Sequence, residues 1–256
     1  MTPSTRPNRT SRRAARAMAP LFALLCAGVA QAAEDVASAA AKAQAAFYAR
    51  DAAALAQLAA ATAPWAKSGN ARELYAHAYV QFRAQQVAML SKRESDAERA
   101  GDACVAATDA AVKREPKFAE AHALQSACYG YLAGLGGFGA IRNGTRSGKA
   151  VEAALAIEPR NPRVLLVDAF GLYQRPKIAG GDKVKGCVKF REAAAAFDAA
   201  GAAAGTPAIG WGAPESHFWA GRCANEAGNA AGARQEYEKA LALAPDFQAA
   251  KKALGR

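Results

Sequence analysis

From residue 33 onward the apolar positions recur at helical spacing, and no stretch alternates with period two as a half-buried strand would. Alanine fills most of these positions, while valine and isoleucine are sparse. That composition favours helix, because alanine loses no side-chain entropy on ordering. Prolines, glycines and capping residues cut the stretch into pieces about one helix long. The predicted helices are 36–50; 51–63, stopped by Pro64; 70–90, capped by Asn70; 96–115, stopped by Pro116; 118–132; 145–158, stopped by Pro159; 162–174, ended before Pro176; 182–200, capped by Asp182; 215–227; 229–244; and a terminal cap over 247–254. A glycine-rich stretch from Gly134 to Gly144 reads as a loop lying over whatever surface the helices form. The fold class is therefore all-α, built as a series of antiparallel helical hairpins.

The hairpins repeat. Ala-x-x-x-x-Pro recurs at Ala111/Pro116, Ala154/Pro159 and Ala240/Pro245, and Pro116-Lys117-Phe118 is echoed by Pro245-Asp246-Phe247. Gly221, Gly228, Ala233, Tyr237, Ala240 and Pro245 place small residues where two helices cross, an aromatic beside them and a proline at the end. Gly181, Asp182, Gly186, Phe190 and Ala193 repeat that spacing. On these residues the chain resembles the tetratricopeptide-repeat (TPR) family, best over 214–247. His217, Ala220 and Ala224 depart from the family's bulky first-helix positions, which leaves the repeat count open.

The resemblance implies an α-solenoid, a right-handed superhelix whose concave groove binds a protein or peptide partner without catalytic residues or a cofactor. By the same resemblance the stripe facing the groove is Tyr131, Asp168, Leu172, Arg175, Phe218, Arg222 and Asn225. The connection Pro176 to Asp182 is similar to one found in small exported TPR proteins. Some exported members of the family accompany TRAP-type transporters, which implies an alternative: a small-ligand-binding accessory of an envelope transporter.

Residues 1–32 read as a secretory signal peptide, leaving 33–256 as one TPR-like domain. Arg6, Arg9, Arg12, Arg13 and Arg16 form a basic lead, Ala19 to Ala30 runs apolar, and Ala30-Gln31-Ala32 supplies the small residues of a cleavage site. The apolar run falls short of the roughly 18 residues a spanning helix needs. Removing the leader takes the formal charge from +11 to +6, with 28 basic against 22 acidic residues. No basic block interleaved with aromatics remains, so nucleic acid is a poor fit. The expected location is periplasmic or secreted, with no membrane span once the leader is gone.

Four cysteines stay in the mature chain, and an even number in an oxidising compartment predicts disulfides. Cys104 lies mid-way along a hairpin's second helix, and Cys128 lies level with it on the next first helix. Cys187 and Cys223 stand in the same relation, so the predicted bridges are Cys104–Cys128 and Cys187–Cys223.

Other candidate chemistry weakens on inspection. Gly134 to Gly139 matches G-x-G-x-x-G, but a helix precedes it where a dinucleotide site needs a strand. Ser147-Gly148-Lys149 resembles a phosphate loop, but Asn143 and Ala150 stand where that motif has a glycine and a hydroxyl; it reads as an inter-helix connection. His122/Cys128 and His217/Cys223 are each six apart, about 240° round a helix, so neither pair converges on one metal. Glu226, Glu236 and Glu238 read as solvated helix faces. No metal and no cofactor are expected.

Overall fold

The computed structural model describes Met1 and residues 35–201 and 210–256. The chain divides into two compact units, Met1–Asp35 and Val36–Arg256. The predicted leader lies in the first, apart from Met1 outside the described residues.

Among its described residues the second unit holds helices and turns only. Helix α1 runs through 36–49. It is followed by α2 (Ala52–Ala61), a 3-10 turn at Ala63–Lys67, α3 (Ala71–Leu90), α4 (Glu94–Arg114), α5 (Ala119–Gly134), α6 (Ala140–Ile157), α7 (Pro162–Gln174), α8 (Lys183–Ala200), α9 (Ala213–Glu226), α10 (Ala230–Leu243) and α11 (Gln248–Ala253). The predicted caps start two of them, Asn70 accepting from the Arg72 N–H at 2.8 Å and Asp182 from the Lys185 N–H at 3.0 Å, and Asn229 caps α10 in the same way, from the Gly232 N–H at 2.9 Å. α3/α4, α5/α6, α7/α8 and α9/α10 pack as hairpins, and α4 against α5 and α8 against α9 join successive hairpins. This is an all-α, TPR-like array of antiparallel helical hairpins.

Small residues set the crossings. A Cβ added to Gly221 would lie 2.8 Å from the Tyr237 ring and 3.0 Å from the Ala233 carbonyl oxygen. One added to Gly186 would lie 2.8 Å from the Tyr173 Cβ. Between α5 and α6 the Ser126 hydroxyl donates to the Ser147 carbonyl at 2.8 Å and the Ser147 hydroxyl to the Ser126 carbonyl at 2.9 Å. Both cysteine pairs predicted from hairpin register are at bonding distance, with Cα–Cα separations of 6.2 Å for Cys104/Cys128 and 5.6 Å for Cys187/Cys223.

The structure corrects one stretch. Helix α6 starts at Ala140, not 145, so the glycine-rich loop shrinks to 135–139, and Ser147-Gly148-Lys149 lies within the helix rather than in an inter-helix connection. Gly136 and Gly137, at φ 83° and 68°, make the reversal alone. The later glycine, Gly144, lies against Ala133 of α5, and packing between the two helices overrides its weak helix propensity.

Helix α1 joins the C-terminal helices to the main core. Val36, Ala40, Ala43 and Ala46 join the main core, while Tyr48 packs with Ala240, Ala244, Phe247 and Ala250.

Candidate functional site

The first helices of successive hairpins turn their inner faces onto a buried polar centre. Arg83 on α3 pairs with Glu215 on α9, their side chains 1% and 7% exposed. Arg83 Nε donates to the Tyr79 hydroxyl at 2.9 Å and Nη1 to Gln86 Oε1 at 2.8 Å, and the guanidinium lies 4.2 Å over the Phe47 ring. Glu215 also accepts from the Tyr48 hydroxyl at 2.9 Å and from the Gly212 N–H at 3.2 Å. A second buried pair, Arg163 on α7 with Glu120 on α5, closes at 3.0 Å.

Trp211 sits between the two pairs. Its Nε1 donates to the Tyr75 hydroxyl at 2.8 Å, its ring stacks on Tyr79, and both guanidiniums lie 5.9 Å from its centroid. Burial pushes the Tyr79 phenol up to about 12 and those of Tyr48 and Tyr75 well above their usual range. Burial alone would lower Arg83; the facing Tyr79 and Glu215 outweigh it and keep the guanidinium charged. The inner face at this level is thus filled by the chain's own side chains.

Beside this centre α7 and α9 form an open shelf. Trp219 stacks on Phe190 at 5.3 Å and meets Phe170 and Tyr173 edge-on. Arg222 lies 4.5 Å over Trp219 and pairs with Glu226 at 3.5 Å, and Glu226 accepts from the Tyr173 hydroxyl at 2.5 Å. Arg222 and Glu226 are 41% and 44% exposed, so a partner can reach both.

The seven predicted groove residues fall into separate neighbourhoods. Arg222 and the exposed Asn225 belong to the shelf. Tyr131 belongs to the buried centre: its hydroxyl accepts from Gln86 at 3.0 Å and its ring meets Phe82 edge-on. Phe218 turns toward the C-terminal cap, against Tyr237 and Phe247. Asp168 is raised by burial, with Lys189 and Arg175 near enough to lower it in part. Lys189 is about 200° round α8 from Cys187, which faces α9. Asp168 therefore lies on the flank away from the shelf, with Arg175 near it. Leu172 is half-buried on α7.

Sequence reasoning passed over Arg83, Glu120, Arg163, Trp211 and Glu215. One signal was available: Arg83 lies among Tyr75, Tyr79 and Phe82 on the apolar face of its helix, where a cation needs a partner. Glu236 is also more engaged than a solvated face, since it lies 2.7 Å from His217 Nδ1, a contact that holds its carboxyl below the usual range. His217 Nε2 faces Asp198 at 3.1 Å, and His122 Nε2 faces the Pro116 carbonyl at 3.0 Å. Among the described residues no three His, Cys, Asp or Glu side chains group to hold a metal ion, and no helix is long and apolar enough to cross a membrane.

Element order, hairpin packing and small-residue crossings define a TPR-like helical-repeat protein. No protein-family model matches the chain, and no curated protein matches it. Among solved structures, a thermophilic TPR protein of Thermus thermophilus is similar over 70% of this chain and 82% of its own, at 17% identity and a TM-score of 0.43.

Proposed function

We propose that this is an exported, non-enzymatic repeat protein that binds a protein or peptide partner through the inner face of its later hairpins. The observation that carries this reading is the shelf of Tyr173, Trp219, Arg222 and Glu226. A solvent-reaching arginine stacked on a half-buried tryptophan, with a tyrosine and a carboxylate in hydrogen-bond reach, has the composition of an interface hot spot. Asn225 widens the shelf on α9, while Asp168, Leu172 and Arg175 share the other side of α7; Tyr131 and Phe218 support these helices. The non-enzymatic reading is supported by the buried ionisable groups, which are spent on each other in pairs spanning the array. Export is supported by the basic lead and cleavage pattern of 1–32, and by two cysteine pairs at bonding distance.

The test is capture of a partner from envelope extract with the wild-type chain and with Arg222→Ala and Asn225→Ala. Both residues reach solvent, so helicity is expected to stay unchanged while capture weakens. Equal capture by both variants would refute the shelf.

A second reading, a small-ligand accessory of an envelope transporter, draws on a polar cleft of about 400 Å³ on α4, α5 and α6 lined by Asp109, His122, Gln125, Tyr129, Arg146 and Lys149. Opposite charges across one cleft suit a zwitterionic or anionic small molecule. A melting shift of the wild type by amino acids or carboxylates, lost in Lys149→Ala, would favour it.

A further inference from the structure

In an antiparallel hairpin array the turns within hairpins lie on one edge and the turns between hairpins on the other. The within-hairpin edge here consists of the turns α3–α4, α5–α6, α7–α8 and α9–α10. Three consecutive turns on it expose large apolar side chains: Leu90 in the first, Phe138 and Ile141 in the second, Ile178 and Val184 in the third. Phe138 and Ile178 are fully exposed. Among the described residues the opposite edge exposes one large apolar side chain, Leu243.

The two middle turns of this edge, α5–α6 and α7–α8, are also cationic, while Glu94 and Asp96 stand at the first turn and Glu226 at the last. No Asp or Glu occurs from 121 to 151, a stretch that carries Arg142, Arg146 and Lys149. From 169 to 191 the one acid is Asp182, and it is engaged in capping α8 and in pairing with Lys185. Among the described residues no ion pair holds Arg142, Lys177 or Lys183, although the Lys183 ammonium lies 5.3 Å over the Tyr173 ring. Each stands one to five residues from Ile141 or Ile178, so unpaired positive charge and exposed apolar surface alternate along the same edge.

A protein partner would have to match the shapes of three separate turns. A bilayer surface has no such requirement: it accepts scattered apolar tips at the boundary of headgroups and acyl chains, and lipid phosphates take the cations. We propose that this edge docks on the surface of a bilayer containing anionic phospholipid, with Phe138, Ile141 and Ile178 inserted and Arg142, Lys177 and Lys183 on the phosphates. The proposal goes beyond the partner shelf and does not depend on it.

The experiment is co-sedimentation with vesicles of phosphatidylglycerol and phosphatidylcholine, and with vesicles of phosphatidylcholine alone. The whole chain and the chain from residue 33 are run in parallel, because residues 1–32 carry their own cations and apolar run; 36–256 is a compact unit by itself. Two sets of exposed substitutions are compared with wild type: Phe138→Ser with Ile141→Ser and Ile178→Ser, and Arg142→Gln with Lys177→Gln and Lys183→Gln. Wild type is expected to bind the anionic vesicles and leave the neutral ones. Each cation removed should lower partitioning roughly fivefold, and all three roughly 100-fold. Phe138→Trp gives a second readout, a new fluorescence signal quenched by brominated lipid in the anionic vesicles. Absent binding, equal binding to neutral vesicles, variants of the residue-33 chain that bind like wild type, or no quenching of the introduced tryptophan would each overturn the proposal. So would edge variants that lose a protein partner while wild type ignores the vesicles, since that would make the edge a protein interface.

Discussion

Replacing Glu215 by alanine should be among the most damaging single changes in this chain. The substitution leaves the Arg83 guanidinium charged and 1% exposed with its carboxylate gone. Removing one partner of a buried pair costs about 3–5 kcal/mol. The Tyr48 hydroxyl and the Gly212 N–H lose their acceptor at the same time, at about 1 kcal/mol each. The expected loss is thus on the order of 5 kcal/mol, comparable with the whole stability of a marginal domain at about 5–15 kcal/mol. Arg83→Met combined with Glu215→Leu removes both charges and fills the volume. It should cost far less than Glu215→Ala alone, because no buried charge is stranded. Urea unfolding followed by far-UV circular dichroism at neutral pH measures both, and the transition slope checks that the unfolded states are comparable. Salt should change neither result, since the pair is sealed from solvent. A loss below about 1 kcal/mol for Glu215→Ala would mean that water reaches Arg83 and that the centre is not closed. A double variant as damaged as the single one would show that the charges themselves are not the source.

Gly221→Ala should destabilise by about 1–3 kcal/mol, because its methyl would press on the Tyr237 ring and the Ala233 carbonyl, whereas Gly148→Ala, in open space on α6, should stabilise by about 0.5–1 kcal/mol; thermal melts give both signs. Non-reducing peptide mapping should recover Cys104 linked to Cys128 and Cys187 linked to Cys223, and replacing the second pair by serine should cost about 4 kcal/mol by the chain-entropy estimate; a Cys104–Cys223 link would refute the hairpin register. The Thr62 hydroxyl donates to the Leu58 carbonyl, so it accepts the His77 Nδ1–H at 2.9 Å, and burial holds His77 below its ordinary 6.5. As pH falls through 6.5 the unfolded chain takes the proton before the folded one, so stability should drop between neutrality and the folded value and then level off. His77→Gln should flatten that part of the melting-temperature profile.

What was legible in the sequence is what local chemistry decides. Asn70, Asp182 and Asn229 cap where their side chains can reach the next turn's N–H groups, and Pro116, Pro159 and Pro245 stop helices regardless of context. The cysteine pairs were legible because they depend only on the register of neighbouring antiparallel helices. The start of α6 was not, because Gly144 becomes helical only where α5 packs against it. The centre was less legible still. Arg83 and Glu215 are 132 residues apart, and their meeting depends on the accumulated rotation of successive hairpins, which no single motif encodes. For the same reason the seven groove residues, assigned stripe by stripe from a family pattern, land in several neighbourhoods.

The centre also bears on how such an array can bind. An open solenoid offers its concave side along its whole length, and its repeats interact only with their neighbours. Here α3 and α9 touch directly through Arg83 and Glu215, Trp211 reaches Tyr75, and Tyr48 of α1 bonds Glu215 while packing on Phe247 beside the terminal helix. These long-range contacts couple hairpins that would otherwise fold and flex independently, so the array should unfold as one cooperative unit. They also fill the space that a threaded peptide would occupy. What stays accessible is the shelf beyond the centre, at Arg222, Asn225 and Glu226, and the turn edge at Phe138, Ile141 and Ile178. A partner on the shelf would engage α7 and α9, and a bilayer the α5–α6 and α7–α8 turns, with Lys183, 5.3 Å over the Tyr173 ring, standing between the two.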